Sequence, residues 1–175
     1  RRDVTDALQV SGCARALADE PIDLLGNNAG VTGSRAAFGA IEYDNWQQVF
    51  AVNCVAPLRL AEAFAGRLAE RPGGLIVNIS SAEGSIGEAE AGGAHFYRAS
   101  KAALNMLTRS LSLDLAERSV SVVAVDPGWV CTRIGGPEAP TAPEDCATQL
   151  FHLFGRFGAA DSGCFFAADG HRIPW

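Results

Sequence analysis

Apolar residues along this chain follow two spacings that alternate. From Asp44, Trp46, Phe50, Cys54, Ala61, Phe64 and Leu68 recur at helical intervals up to Arg71, which predicts an amphipathic helix over 44–71 that Pro72-Gly73-Gly74 ends. Leu104, Leu107, Thr108, Leu111 and Leu115 predict a second one over 97–118. A helix capped by Thr5 and running to about Ala18, and another over 143–156, complete the helical set. Between them lie short runs that are apolar throughout: 22–25 ending at Gly26, 75–79, 120–125 and 164–166. Such runs read as strands buried on both faces, and strands separated by crossover helices predict a parallel α/β sheet covered on both sides. In such sheets chemistry sits beyond the carboxyl ends of the strands.

Composition narrows the function. With 175 residues the chain suits a single domain over 1–175, and 48% hydrophobic residues exclude disorder. Uninterrupted apolar runs are a handful of residues, so no membrane span is expected. A net charge of −6 gives no footprint for a phosphate backbone, so nucleic acid is not an expected partner. Cys13, Cys54, Cys131, Cys146 and Cys164 contain no C-x-x-C pair, which fits a reducing, cytoplasmic setting. His95, His152 and His171 lack the spacing of a metal site, and no metal is expected.

Among 14 basic residues only Lys101 is a lysine, and it stands four residues after Tyr97. That spacing places phenol and ammonium on one helical face. A cation beside a phenol favours the phenolate, so the expected consequence is a Tyr97 acidic enough to exchange protons in catalysis. A further feature is readable in Val52-Asn53-Cys54-Val55-Ala56-Pro57: Pro57 has no N–H to offer the carbonyl of Asn53, so the helix should kink there.

Together with Tyr97-Arg98-Ala99-Ser100-Lys101, the segments Asn27-Asn28-Ala29-Gly30, Ile79-Ser80-Ser81 and Pro127-Gly128-Trp129-Val130-Cys131-Thr132 stand at the ends of predicted strands. With them the chain resembles the short-chain dehydrogenase/reductase family. Gly84-Ser85-Ile86 and the tail 161–175 are similar to sniffer-type carbonyl reductases and bacterial C-factor proteins. The resemblance implies a Rossmann-like doubly wound sheet and an NADP- or NAD-dependent oxidoreductase. It would move hydride between nicotinamide and a ketone, aldehyde or secondary alcohol.

By the same resemblance the catalytic residues are Asn53, Ser81, Tyr97 and Lys101, with Ser80 a weaker alternative to Ser81. Tyr97 supplies the proton, Lys101 lowers its pKa and holds the nicotinamide ribose, Ser81 polarises the carbonyl, and Asn53 organises a relay water. The implied cofactor contacts are Asp3, Val4, Asn27, Ala29, Gly30, Tyr97, Lys101, Pro127, Gly128, Val130 and Thr132, with residues 135–140 as a substrate lid. Two departures stand out: 16 residues separate Ser81 from Tyr97, longer than the family's usual gap, and Arg133 replaces a frequent acid.

The family's Gly-rich phosphate loop is not found in this sequence, so the expectation is an N-terminally truncated chain lacking the first strands, with an exposed sheet edge at 22–25. On that expectation the chain folds poorly and binds cofactor weakly. The implied assembly is a homodimer through helices 44–71 and 97–118; the alternative function is a non-catalytic relative acting through that pairing.

Overall fold

A computed structural model describes residues 3–175. Four parallel strands form one sheet in the order β1 (Leu24–Asn27), β2 (Leu75–Ile79), β3 (Ser121–Asp126) and β4 (Phe165–Ala167). Helices connect them: α1 (Ala7–Ala16), α2 (Trp46–Phe50), α3 (Ala56–Leu68), α4 (His95–Asp114) and α5 (Pro143–Phe154).

Successive residues of a strand face opposite sides, and the two cores follow that alternation. Ile76 and Val122 join Ala61, Ala65 and Leu68 of α3 and Leu111 of α4 on one side. Leu75, Val77, Val123 and Val125 meet Leu153 of α5 and Phe166 on the other. The sheet is therefore doubly wound and Rossmann-like, as the alternating pattern implies. Among the described residues β1 forms an edge of this sheet, and Leu24 is 42% exposed.

Several boundaries differ from the sequence reading for local reasons. Asp6, not Thr5, caps α1: its carboxylate accepts from the Leu8 and Gln9 N–H groups, while the Thr5 hydroxyl is drawn to Asp3. The helix predicted over 44–71 is interrupted rather than merely bent. Ala51–Val55 forms a π-helical turn in which the Ala56 N–H reaches back to the Ala51 carbonyl, five residues away, directly before Pro57. A proline in the first turn of α3 costs that helix nothing, because its missing N–H has no partner to lose there.

The helical run Trp46–Leu68 has 23 residues and a mean hydropathy of 1.3 in its most apolar window, long and apolar enough to cross a membrane, contrary to the expectation from uninterrupted runs. Core helices share that property, and Ala61, Ala65 and Leu68 of this run pack against the sheet.

Candidate active site

A cavity of about 1030 Å³ opens at the carboxyl ends of β1, β2 and β3. Its wall gathers Ala29, Gly30, Ser81, Tyr97, Lys101, Pro127, Gly128, Val130 and Thr132 from four separate segments of the chain. The structure thus brings together three of the four expected catalytic residues and most of the expected cofactor contacts. Asn28, Arg35, Glu83, Asp126 and Cys146 also line it, and none of these was among the expected site residues.

Each side chain has a structural reason for its place. Ser81 follows β2 and caps the short turn Ala82–Gly84, its hydroxyl accepting from the Glu83 N–H at 3.2 Å. That hydroxyl stands on the Tyr97 side of the cavity, where it favours the phenolate. Ser80 also borders the cavity, but its buried hydroxyl donates to Asn105 at 2.6 Å, which leaves the Ser81 hydroxyl as the one free to meet a substrate. Tyr97 and Lys101 lie one turn apart on the buried face of α4. The Lys101 ammonium is 5.7 Å from the Tyr97 ring centre and donates to the Ile79 carbonyl at 2.7 Å.

Asn53 is not in the cavity wall. It is fully buried behind it, where its side chain accepts from the Val31 N–H at 2.9 Å and donates to the Val31 carbonyl and the Ser100 hydroxyl. The amide therefore fastens the loop after β1 to α4. Replacing Asn53 with alanine strands both Val31 backbone groups and should cost about 2 kcal/mol of stability, read as a lowered denaturant midpoint.

Three expected cofactor contacts also stand apart from the cavity wall. Asn27 is buried within β1, donating to Asn78, which in turn donates to Thr108 of α4; Asn28 lines the cavity in its place. Asp3 and Val4 precede α1, where the Asp3 carboxylate accepts from the Thr5 N–H and hydroxyl. Thr132 is in the wall, with its hydroxyl accepting from the Gly135 N–H at 3.2 Å.

The proton chemistry differs from the expectation too. Burial pushes the Tyr97 phenol above its ordinary value of 10.0, against the Ser81 hydroxyl; the Glu83 and Asp126 charges push the same way, while Arg35 opposes them. Burial also weakens Lys101, lowering it to about 8. An amine depressed on folding penalises the folded state while it stays protonated. Stability should therefore rise by about 2 kcal/mol between pH 8 and 10, and Lys101→Met should abolish most of that rise in pH-dependent chemical denaturation.

The residues suit a nicotinamide dinucleotide. The cavity is an open groove of suitable size, floored by small residues at Ala29, Gly30 and Gly128 and containing a lysine ammonium. A bulky side chain at any of these positions would occupy space the groove provides.

The short chain dehydrogenase family model matches residues 1–142. The chain belongs to the short-chain dehydrogenase family. Among curated relatives, C-signal of Myxococcus xanthus is 37% identical over 155 residues, covering 89% of this chain and 93% of the relative. Among solved structures, the carbonyl reductase Sniffer of D. melanogaster superposes with a TM-score of 0.92 at 30% identity, covering 99% of this chain and 76% of that one. NADPH-bound carbonyl reductase from chicken fatty liver gives a TM-score of 0.91 at 31% identity, covering 99% and 75%.

Proposed function

We propose that this short-chain dehydrogenase is an NADP- or NAD-dependent carbonyl reductase acting on a ketone or aldehyde, reversibly with the matching alcohol. The observation that carries this reading is the shared cavity of Ser81, Tyr97 and Lys101 at the strand ends. Two neighbouring hydroxyls that can turn toward a common point make a receptor for one carbonyl oxygen.

The dinucleotide, when bound, supplies or takes the hydride. Ala29, Gly30, Pro127, Gly128, Val130, Thr132 and Lys101 would hold it. In reduction the Ser81 hydroxyl steadies the oxygen as negative charge develops there, and Tyr97 donates its proton to that oxygen. The raised pKa of Tyr97 keeps that proton in place at neutral pH, which suits the reductive direction. The Lys101 ammonium, while protonated, stabilises the phenolate left behind. Asn53 contributes by holding the Val31 loop and α4 in register, and the relay water at its backbone belongs to this proposal.

Two results test it. Ser81→Ala should lower kcat/KM for NADPH-dependent reduction of diacetyl or benzaldehyde by ~10²-fold, measured as loss of reduced-cofactor absorbance. In the parent chain, reduction should decline as pH rises through about 8, when Lys101 loses its proton. A reductive rate that is insensitive to both would defeat the assignment.

The reading includes a cytoplasmic protein, supported by five free cysteines, and a homodimer through α3 and α4. Supporting the dimer are the solvent-facing Met106 and Leu113 of α4, which are 66% and 61% exposed. Met106→Glu should then shift the chain toward a monomer in sedimentation.

A further inference from the structure

Asp126 closes β3, a polar residue at the end of a strand that is otherwise completely buried. The ladder between β2 and β3 ends at Ile79 opposite Val125, and the Ser80 N–H donates to the Val125 carbonyl at 2.7 Å. Asp126 therefore leaves the sheet beside Ser80 and Ser81, and its carboxylate lines the cavity. There the backbone N–H groups of Ala82 and Gly128, on the two loops that flank it, favour its ionised form against burial. Gly128 stands at φ 76°, a left-handed conformation that brings its N–H round in a tight turn.

The ammonium of Lys101 is fixed to the Ile79 carbonyl, at the same end of the same ladder. Burying a lone ammonium is costly unless an opposite charge answers it. Glu83 from the loop after β2, Tyr97 from α4 and Cys146 from α5 also face this carboxylate. Of the charges acting on Lys101, it is Asp126 that works against burial to keep the amine protonated.

We propose that Asp126 is a positioning residue of the active site: its carboxylate, at the same strand end and in the same cavity as the ammonium, serves as the counter-charge of Lys101. The proposal rests on the carbonyl-reductase reading for its catalytic meaning. Its electrostatic content stands on its own. Lys101 then stays charged at neutral pH despite its depth.

The sequence offers unusually clean probes. Lys101 is the single lysine, and Tyr97 shares the chain with one other tyrosine, Tyr43. In a Tyr43→Phe background the near-ultraviolet phenolate signal belongs to Tyr97 alone. Reductive methylation with labelled formaldehyde gives Lys101 its own side-chain NMR resonance. Asp126→Asn should lower both titration midpoints by about half a unit or more, because it removes a negative charge that favours the ammonium and disfavours the phenolate. Asp126→Glu should keep the Lys101 midpoint near the parent value. Asp126→Ser, which retains an acceptor but no charge, serves if the asparagine variant does not fold.

Midpoints that stay put in the neutral variants overturn the proposal. So does a Lys101 midpoint that falls equally in the glutamate variant, which would mark a general loosening rather than a lost charge. Turnover separates the two ideas. If the parent does not reduce diacetyl with NADPH but the midpoints move as described, the function assignment fails while the Asp126 coupling stands. If both hold, the variants should lower kcat more than they raise KM.

Discussion

Replacing Tyr97 with phenylalanine is expected to reduce carbonyl reduction by ~10³-fold or more while leaving dinucleotide affinity within a few-fold of the parent. The substitution removes one oxygen from a ring that is held by its packing on α4 and lies 5.8 Å from the Arg35 guanidinium. Nothing in the backbone depends on that oxygen. The neighbouring Ser81 hydroxyl is held independently, accepting from the Glu83 N–H. Fold and cleft should therefore survive, and only the proton donor is lost. Single-turnover kinetics with saturating NADPH and diacetyl, beside a fluorescence titration of the cofactor, checks both halves. A variant that retains a tenth of the parent rate would show that some other group delivers the proton.

Gly84→Ala should lower stability by about 3 kcal/mol, or roughly 6–12 °C in Tm. A Cβ at Gly84 would fall 2.7 Å from the Lys101 Cβ and 2.8 Å from its backbone carbonyl carbon. Those atoms belong to the middle of α4 and cannot swing aside as the end of a long side chain could. The turn Ala82–Gly84 and α4 must therefore separate, which pulls Ser81 away from Tyr97 as well as lowering Tm. Gly92→Ala, where the added carbon meets nothing within 4 Å, supplies the control and should stay within about 0.5 kcal/mol of the parent. Equal melting temperatures for the two variants would show that the contact between turn and helix is looser than described.

Much of this architecture follows from simple periodicity. The run at 75–79 is β2 as read, because four of its five residues are apolar and glycines precede it. The first strand is displaced: a run read as 22–25 pairs instead as Leu24–Asn27. Hydrophobicity cannot find that strand, since its last residue is an asparagine whose burial depends on hydrogen bonding to Asn78, and through it to Thr108. Buried amides that bond to one another look like surface residues in a sequence.

The site was legible in the same partial way. Spacing along one helix places Tyr97 and Lys101 together, and the position of Ser81 follows from the strand end before it. Depth is different, because it is a property of the packed molecule. Burial raises the phenol and depresses the amine, reversing the simple expectation that a neighbouring ammonium acidifies a tyrosine. Asp126 shows the other kind of gap. In Asp126-Pro127-Gly128 it reads as turn punctuation, and only the parallel register of β2 with β3 reveals that it stands beside the serine. Asn53 is the converse: the proline four residues on points to its carbonyl, whereas its side chain proves to be the fastening between two segments.

The most direct measurement of the central claim follows the hydrogen itself. The chain is incubated with diacetyl and millimolar NADPH deuterated at the nicotinamide carbon that delivers hydride, and the product is examined by mass spectrometry and NMR. The account predicts one deuterium on the new carbinol carbon, with the rate of its appearance collapsing in Tyr97→Phe. An alcohol product free of deuterium, or formed equally fast without the Tyr97 hydroxyl, would contradict it.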